Sequence, residues 1–171
     1  MRLRAVEAGD VETYVRMRCD PGMMAELGGP LPREKVVARH AKDVEGGDDI
    51  WARMIVTDEG ETAGGVMLWS MEEDGVTVSE IGWAVLPEFQ GKGLAKAAVR
   101  QLLDEAAEDG RWGEVEANPG VTNGPSNGIC RSTGFRLRGE RELTFADRLL
   151  RTNHWVVVPG EHTGSCTQQS E

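Results

Sequence analysis

Two short glycine-containing stretches carry the residues best suited to holding an anion. Gln90-Gly91-Lys92-Gly93-Leu94-Ala95 follows one apolar segment, and Asn123-Gly124-Pro125-Ser126, which leads to Gly134-Phe135, follows another. Glycine lets a strand-to-helix turn bring its backbone N–H groups close to a phosphate, and the start of the next helix adds a partial positive charge. Two such units in one short chain predict a site for a nucleotide-like cofactor.

The first stretch fits neither of two common phosphate-binding loops. A Rossmann fingerprint belongs to the first strand of a parallel sheet, whereas three meander-like strands precede Gly91. A Walker loop needs a glycine further upstream and a Ser or Thr directly after its lysine, but Lys92 is followed by Gly93. A dinucleotide oxidoreductase is therefore disfavoured. For the glycine turn taken alone, a purely structural role is the alternative.

The elements before the first stretch are predicted from turn signals and apolar patterning. A short strand covers 2–6, a helix capped by Asp10 covers 10–19, and a second helix covers 32–44. Strands at 51–57, 63–70 and 76–86, joined by tight turns, predict an antiparallel meander. The first glycine stretch thus follows the last strand of the meander.

The elements after that strand predict a crossover. An apolar stripe at helical spacing predicts a helix over 93–107, which Gly110 ends, and a strand follows at 114–117. The strands on either side of such a helix are expected to be parallel neighbours with a right-handed connection. A short helix at 126–133 and a strand pair at 135–143 and 153–158 complete the predicted mixed α/β fold.

Length and composition indicate an ordinary globular protein. The 171 residues predict one domain over 1–159 and a disordered polar tail over 160–171. No stretch approaches a membrane span, and the N-terminal residues lack the apolar run of a signal peptide. Cys19, Cys130 and Cys166 are an odd set without metal-ligand spacing, so we expect reduced thiols, no metal site and a cytoplasmic protein.

The charge of the chain is unevenly distributed. A net charge of −10 argues against nucleic acid as a partner. The acidic clusters at 43–49, 58–61 and 72–74 are interpreted as solvated loops, with a field that attracts a cationic amine as the alternative. By contrast, residues 89–103 contain Lys92, Lys96 and Arg100 and no acidic residue, which favours an anionic cofactor there.

Both stretches resemble the signatures of one enzyme superfamily. Gln90-x-x-Gly93-x-Ala95, placed after the strand that ends at Val85, resembles the acyl-CoA signature of the GNAT N-acetyltransferases. Asn123, Ser126 and Gly134-Phe135 follow in the order and spacing of that superfamily. The resemblance implies a mixed, largely antiparallel sheet flanked by helices, with a central pair of parallel strands splayed apart. It also implies acetyl-CoA as the cosubstrate.

The resemblance assigns residues of this chain to the cofactor. The strand backbone at Trp83, Ala84 and Val85 is implied to bind the pantetheine arm and the thioester, with an N–H near Val85 facing the oxyanion. The pyrophosphate is assigned to the amides of the turn, with a side-chain hydrogen bond available from its first residue: Gln90, Gly91, Lys92, Gly93, Leu94, Ala95 and Lys96. Asn123 binds the pantetheine arm or caps the helix that follows it, and Ser126 is the alternative cap.

The proton-transfer groups are less well defined. An amine must lose a proton before it attacks, and Glu80, near the position of a catalytic glutamate in some superfamily members, is the first choice of base. Glu116 is the second choice, and a solvated strand residue is the alternative role for Glu80. The acid that protonates the departing thiolate is often a tyrosine four residues before Gly-Phe, where this chain has Cys130. That thiol is interpreted as the acid, as a nucleophile, or as a small residue on a buried helix face.

The acceptor carries no signature in the sequence. We predict direct transfer of acetyl from acetyl-CoA to a primary amine, on a small molecule or a peptide, in a ternary complex. The alternative is a non-catalytic acyl-CoA-binding or sensing module, which the missing tyrosine motivates. Tyr14 lies in the first helix and is not expected to replace that tyrosine, and His154 is interpreted as structural. No motif specifies the oligomeric state, and a homodimer is left open.

Overall fold

A seven-stranded mixed sheet forms the centre of the protein in the computed structural model, which describes residues 1–73 and 75–161. Its strands lie in the order β1-β2-β3-β4-β5-β7-β6, and every neighbouring pair is antiparallel except β4–β5. The strands are β1 (Arg2–Ala5), β2 (Ile50–Val56), β3 (Thr62–Glu73), β4 (Val76–Val85), β5 (Val115–Ala117), β6 (Arg136–Phe145) and β7 (Arg148–Val157). The α-helices are α1 (Val11–Cys19), α2 (Arg33–Glu45), α3 (Leu94–Asp109) and α4 (Gly124–Ser132).

The predicted meander and crossover are confirmed. β2, β3 and β4 pair in antiparallel succession, and the β3–β4 register runs without a break from Gly64–Val85 to Glu73–Val76. The chain then passes through α3 to β5, which pairs in parallel with β4. This places the glycine turn at the end of the strand that forms the only parallel pair of the described sheet.

The sheet buries apolar side chains on both faces. One face packs against α3 and α4, with Leu102, Leu103 and Cys130 in the core beside strand residues such as Ile81 and Val115. The other face packs against α1 and α2. Since side chains alternate along a strand, Ile81 and Glu80 of β4 lie on opposite faces. We call the side covered by α1 and α2 the acceptor face, because the resemblance to the GNAT N-acetyltransferases implies that the amine binds there, and the other side the α3 face.

Of the helix N-caps predicted at Asn123 and Asp10, the structure contains the first and not the second. Asn123 caps α4, because its Oδ1 accepts a hydrogen bond from the backbone N–H of Ser126 at 3.1 Å, and α4 therefore begins two residues earlier than predicted. Asp10 precedes α1 as expected, but its side chain makes no cap bond to that helix. It binds Arg4 and the backbone N–H of Glu7 instead, so the predicted side-chain cap of α1 is wrong.

The last strand begins earlier than its sequence pattern indicates. β7 starts at Arg148 rather than at residue 153, and it forms a long hairpin with β6. The hairpin turns at Ala146 and Asp147, which both have positive φ values. The predicted disordered tail lies outside the described residues beyond Glu161. No α-helix in the described part of the chain is long and apolar enough to cross a membrane.

Candidate active site

The central feature of the site is a gap between β4 and β5. The two strands form two residue pairs, Ser79–Val115 and Glu80–Glu116, and then diverge. β5 continues along β7, with Ala117 opposite Trp155, while residues 81–85 of β4 form no described pair on the β5 side. An extended molecule that carries amide groups can add to such a free strand edge by backbone hydrogen bonds. The predicted splay of the parallel pair is therefore present.

The turn after β4 leaves the start of α3 open. Gly91 and Gly93 have φ values of 74° and 76°, which explains why glycine is needed at both positions. Gly93 occupies the N-cap position, so no side chain caps the helix, and Ala97 is the first residue whose N–H reaches back to the carbonyl of Gly93. The amides of Leu94, Ala95 and Lys96 precede that bond and can face a ligand.

Two further features of this turn favour an anionic ligand and fix the turn in place: its basic charge and a side-chain hydrogen bond from Gln90. The described first turn of α3 has no acidic residue, and both Lys92 and Lys96 are exposed. Gln90 donates a hydrogen bond from Nε2 to the carbonyl of Val85 at 2.8 Å, which ties the turn to the end of β4. In this structure the Gln90 side chain therefore braces the strand end, and its predicted hydrogen bond to the cofactor stays a prediction. The open helix start beside exposed lysines is suited to a phosphate group.

The second stretch is fixed by an amide that the sequence analysis did not identify. Asn127 is buried, and its Nδ2 donates to the carbonyls of Gly120 and Asn123 at 2.9 and 2.8 Å. Its Oδ1 accepts hydrogen bonds from Asn153 and from Trp155 Nε1. Asn127 therefore links the β5–α4 connection and the start of α4 to β7. An asparagine in a short helix gives no sequence signal for these distant partners.

Cys130 lies in the core of the α3 face. Its side chain is 0% exposed, and burial raises the pKa of the thiol to about 12. Such a thiol stays protonated at neutral pH, so the nucleophile role is disfavoured. Glu80 is half-buried and lies on the opposite face of the sheet. The two predicted catalytic residues are therefore separated by the sheet, and the placement of Cys130 favours the structural interpretation.

A polar cluster surrounds Glu116 on the acceptor face. Arg141 of β6 binds Glu116 Oε2 through Nη2 and donates from Nε to Asn118 Oδ1 at 3.1 Å. His154 of β7 has its Nε2 atom 3.0 Å from Glu116 Oε1. We call these residues the Glu116 cluster: Glu116, Asn118, Arg141 and His154. They lie on β5, just after β5, on β6 and on β7, so no sequence motif joins them. Glu80 lies beside this cluster because it pairs with Glu116.

The connection between α1 and α2 borders the same side of the sheet. Glu26 accepts a hydrogen bond from the Thr122 hydroxyl at 2.7 Å, and the side chain of Arg148 lies against Gly28 and Gly29. These contacts bring the connection against both the β5–α4 loop and the β6–β7 hairpin. Tyr14 is not part of this site, because its hydroxyl binds Asp43 in the buried α1–α2 interface.

A match to a family model covers most of these elements. Residues 1–136 match the model of the acetyltransferase (GNAT) domain, which includes both β4 with its glycine turn and the start of α4. The chain belongs to the GNAT acetyltransferase family. The fold class and the family inferred from the two glycine stretches are thereby confirmed.

Solved structures share the GNAT fold at low sequence identity. A spermidine N-acetyltransferase from Vibrio cholerae, in complex with CoA and spermine, has 18% identity and a TM-score of 0.76, over 95% of this chain and 98% of that one. The ribosomal-protein-S5-alanine acetyltransferase from Vibrio fischeri has 17% identity and a TM-score of 0.75, over 95% and 94%. An aminoglycoside acetyltransferase in complex with coenzyme A has 17% identity and a TM-score of 0.72, over 91% and 93%.

Proposed function

We propose that this GNAT protein transfers acetyl from acetyl-CoA to a primary amine, which attacks the thioester directly in a ternary complex. One observation carries the proposal: the unpaired edge of β4 at residues 81–85 leads through a braced glycine turn into an uncapped helix start. A long molecule with amides at one end and phosphates at the other matches these two features in this order. The CoA complexes of two fold neighbours support the same cosubstrate.

The donor would lie along β4 and across the start of α3. The backbone of Trp83, Ala84 and Val85 would pair with the pantetheine amides. The pyrophosphate would accept hydrogen bonds from the amides of residues 91–96. Asn123 and Ser126 would border the pantetheine arm from the other side of the gap, although the Asn123 side-chain oxygen is already used as the cap of α4.

The chemistry needs a base and an oxyanion donor. A backbone N–H at the end of β4 would stabilise the oxyanion, and one such donor contributes roughly 3 kcal/mol to transition-state binding. Glu80 would take the proton of the acceptor ammonium, directly or through water. Glu116 is the weaker candidate because its two oxygens already face Arg141 and His154. A carboxylate whose two oxygens already face other side chains is less accessible to the ammonium of an acceptor.

The amine would approach the thioester from the side of the sheet that α1 and α2 cover. The fold neighbours named above act on spermidine, on an aminoglycoside and on a ribosomal protein, and all three present amines. Glu80 and Glu116 at the gap, in a chain with a net charge of −10, favour a cationic acceptor. We therefore propose a small-molecule or peptide amine. The odd number of cysteines supports a cytoplasmic location.

Two measurements test this function. Acetyl-CoA should raise the melting temperature of the protein in a concentration-dependent way, because a ligand that binds only the folded state stabilises it. Free thiol should then appear from acetyl-CoA in the presence of an accepted amine. Binding without thiol release across a broad panel of amines would instead favour a non-catalytic acyl-CoA-binding module, which the buried Cys130 at the usual tyrosine position keeps as the second candidate.

A further inference from the structure

His154 is held by the Glu116 cluster on the acceptor face of β7. Its Nε2 atom lies 3.0 Å from Glu116 Oε1, and Arg141 binds the other oxygen of the same carboxylate. The His154 side chain is 18% exposed and the Glu116 side chain 13%, so the contact is largely shielded from solvent. An arginine thus orients a carboxylate, and the carboxylate borders one nitrogen of the imidazole.

The two ring nitrogens of His154 differ in their surroundings. Nε2 is enclosed, and it makes no hydrogen bond within the described part of the protein. Electrostatic attraction to this carboxylate oxygen, 3.0 Å from Nε2, favours the tautomer with the proton on Nε2. In that tautomer Nδ1 carries a lone pair. A bound molecule that reaches Nδ1 could donate a proton to this lone pair.

Asn118 connects this histidine to the gap between β4 and β5. Because Ala117 pairs with Trp155 in the antiparallel β5–β7 ladder, the next residue, Asn118, lies opposite His154. Asn118 is two residues beyond Glu116, which forms the last β4–β5 pair. Because Arg141 can only donate, its bond to Asn118 Oδ1 identifies the other amide atom as Nδ2. Nδ2 is enclosed and also lacks a partner within residues 1–73 and 75–161. Buried polar atoms without partners indicate a missing molecule or a functional role.

We propose that His154 carries the proton from the acceptor nitrogen to the departing thiolate of coenzyme A. This inference rests on the proposed acetyl transfer. Glu80 removes the first proton of the ammonium and releases it to solvent, and the amine lone pair then forms the C–N bond to the thioester carbon. Nδ1 of His154 accepts the second nitrogen-bound proton. As the C–S bond breaks, the imidazolium returns that proton to sulfur, so the products are the amide and the coenzyme A thiol.

His154 would supply the proton donor for the thiolate that the buried Cys130 does not supply. The thiol at the usual tyrosine position is 0% exposed in the α3-face core, whereas the partly buried side chain of His154 lies on the acceptor face. The charged groups near the imidazole are Glu116 of β5, Arg141 of β6 and Glu80 of β4. Glu116 and Arg141 act as positioning residues, because they orient the ring without meeting the reacting atoms.

Steady-state kinetics test the proposal, with Arg151→Gln as the matched control. Arg151 also lies on β7 but forms an exposed ion pair with Glu140. We expect His154→Gln to lower kcat about 100-fold, the usual scale for a lost proton-transfer group, with the KM for acetyl-CoA within about twofold. Added imidazole should restore part of the rate of His154→Ala. Wild-type kcat in His154→Gln, or a loss explained by a lower melting temperature and not rescued by imidazole, overturns the proposal.

A second readout needs no acceptor. The chain has three histidines, so the ring signals of His154 can be assigned in NMR spectra by their loss in His154→Gln. Adding coenzyme A should shift these signals in the wild-type protein, because the thiol would come to lie near the ring. Unchanged signals at saturating coenzyme A overturn the role of His154 even when turnover is present. Absence of turnover with every amine refutes the proposed acetyl transfer instead.

Discussion

Glu80 and Glu116 occupy paired positions on two strands, but their surroundings differ. Glu116 is held between Arg141 and His154, while Glu80 lies on the neighbouring strand opposite Trp69. Glu116, whose two oxygens face Arg141 and His154, suits a positioning role, and the half-buried Glu80 on β4 is the proposed proton acceptor. The two glutamates are therefore expected to fail in different ways when they are neutralised.

Glu80→Gln is expected to lower kcat about 100-fold, because the amide cannot accept the proton of the ammonium. The acidic limb of the pH–rate profile should disappear in this variant. Glu142→Gln, which changes an exposed glutamate on β6, is the control and should keep wild-type rates. A Glu80→Gln enzyme with an unchanged pH–rate profile would remove Glu80 as the base.

Cys130→Ala is expected to leave turnover within about threefold of wild type, because the thiol is fully buried in the core of the α3 face. The free energy of unfolding should fall by about 1 kcal/mol from the lost packing. Thiol-release rates and denaturant unfolding measure the two effects. Loss of turnover in a variant with wild-type stability and acetyl-CoA binding would restore Cys130 as the acid.

The buried thiol of Cys130 also makes the free energy of unfolding depend on pH, in a direction that its raised pKa determines. Burial raises the pKa of Cys130 from its ordinary value of 9.0 to about 12, so the folded state keeps a proton that the unfolded chain loses. Its contribution to stability is fully present below pH 9 and is lost as the pH rises toward 12. Unfolding between roughly pH 8 and 10 should show the wild type losing stability relative to Cys130→Ala. A constant difference between the two proteins would contradict this.

At the level of the elements, local pattern predicts the site better than distant contacts do. The apolar stripe of α3 and the alternation in β2 to β4 are periodic, so the strand, glycine turn and helix that form the cofactor side could be predicted. The start of β7 could not, because Arg148 to Arg151 do not alternate and the turn uses Ala146 and Asp147 without a glycine. The Glu116 cluster joins residues about 25 to 38 positions apart, which no local pattern reports.

A substitution at Gly64 of β3, which pairs with Val85, tests whether the end of β4 contributes to cofactor binding. A Cβ at Gly64 would lie 2.1 Å from the Ala84 carbonyl oxygen and 2.9 Å from Val85 Cα, so Gly64→Ala must push the end of β4 aside. We expect a loss of about 3 kcal/mol in unfolding free energy and weaker acetyl-CoA binding, measured by denaturation and calorimetry. Gly65→Ala is the control, because its nearest contact is 3.4 Å. Equal effects of the two variants would contradict a role for the β4 edge.

At the level of the whole molecule, the charge distribution differs between the expected sites of acetyl-CoA and of the amine. The chain carries a net charge of −10, but the segment 89–103 contains only basic charged residues. We therefore expect an anionic donor to be attracted to the start of α3 and a cationic amine to be attracted to the acidic remainder of the surface. This separation follows from the sequence alone, because it needs only the positions of the charges along one helix.

The double variant Lys92→Gln, Lys96→Gln is expected to weaken acetyl-CoA binding about tenfold at low salt, because it removes two charges beside the phosphate site. The difference from wild type should shrink at high salt, where exposed charges are screened. Calorimetry at two salt concentrations measures both effects, with Lys42→Gln on α2 as the control. An affinity that does not respond to the double variant would place the phosphates elsewhere.

The most direct test of the central claim is thiol release from acetyl-CoA, followed with polyamines, aminoglycosides and peptide N-termini and compared with an amine-free reaction. We predict that at least one primary amine accelerates release in a saturable way and is recovered as its acetylated product. The proposed acetyl transfer is contradicted when acetyl-CoA stabilises the protein and yet no amine raises the rate above that of the amine-free reaction.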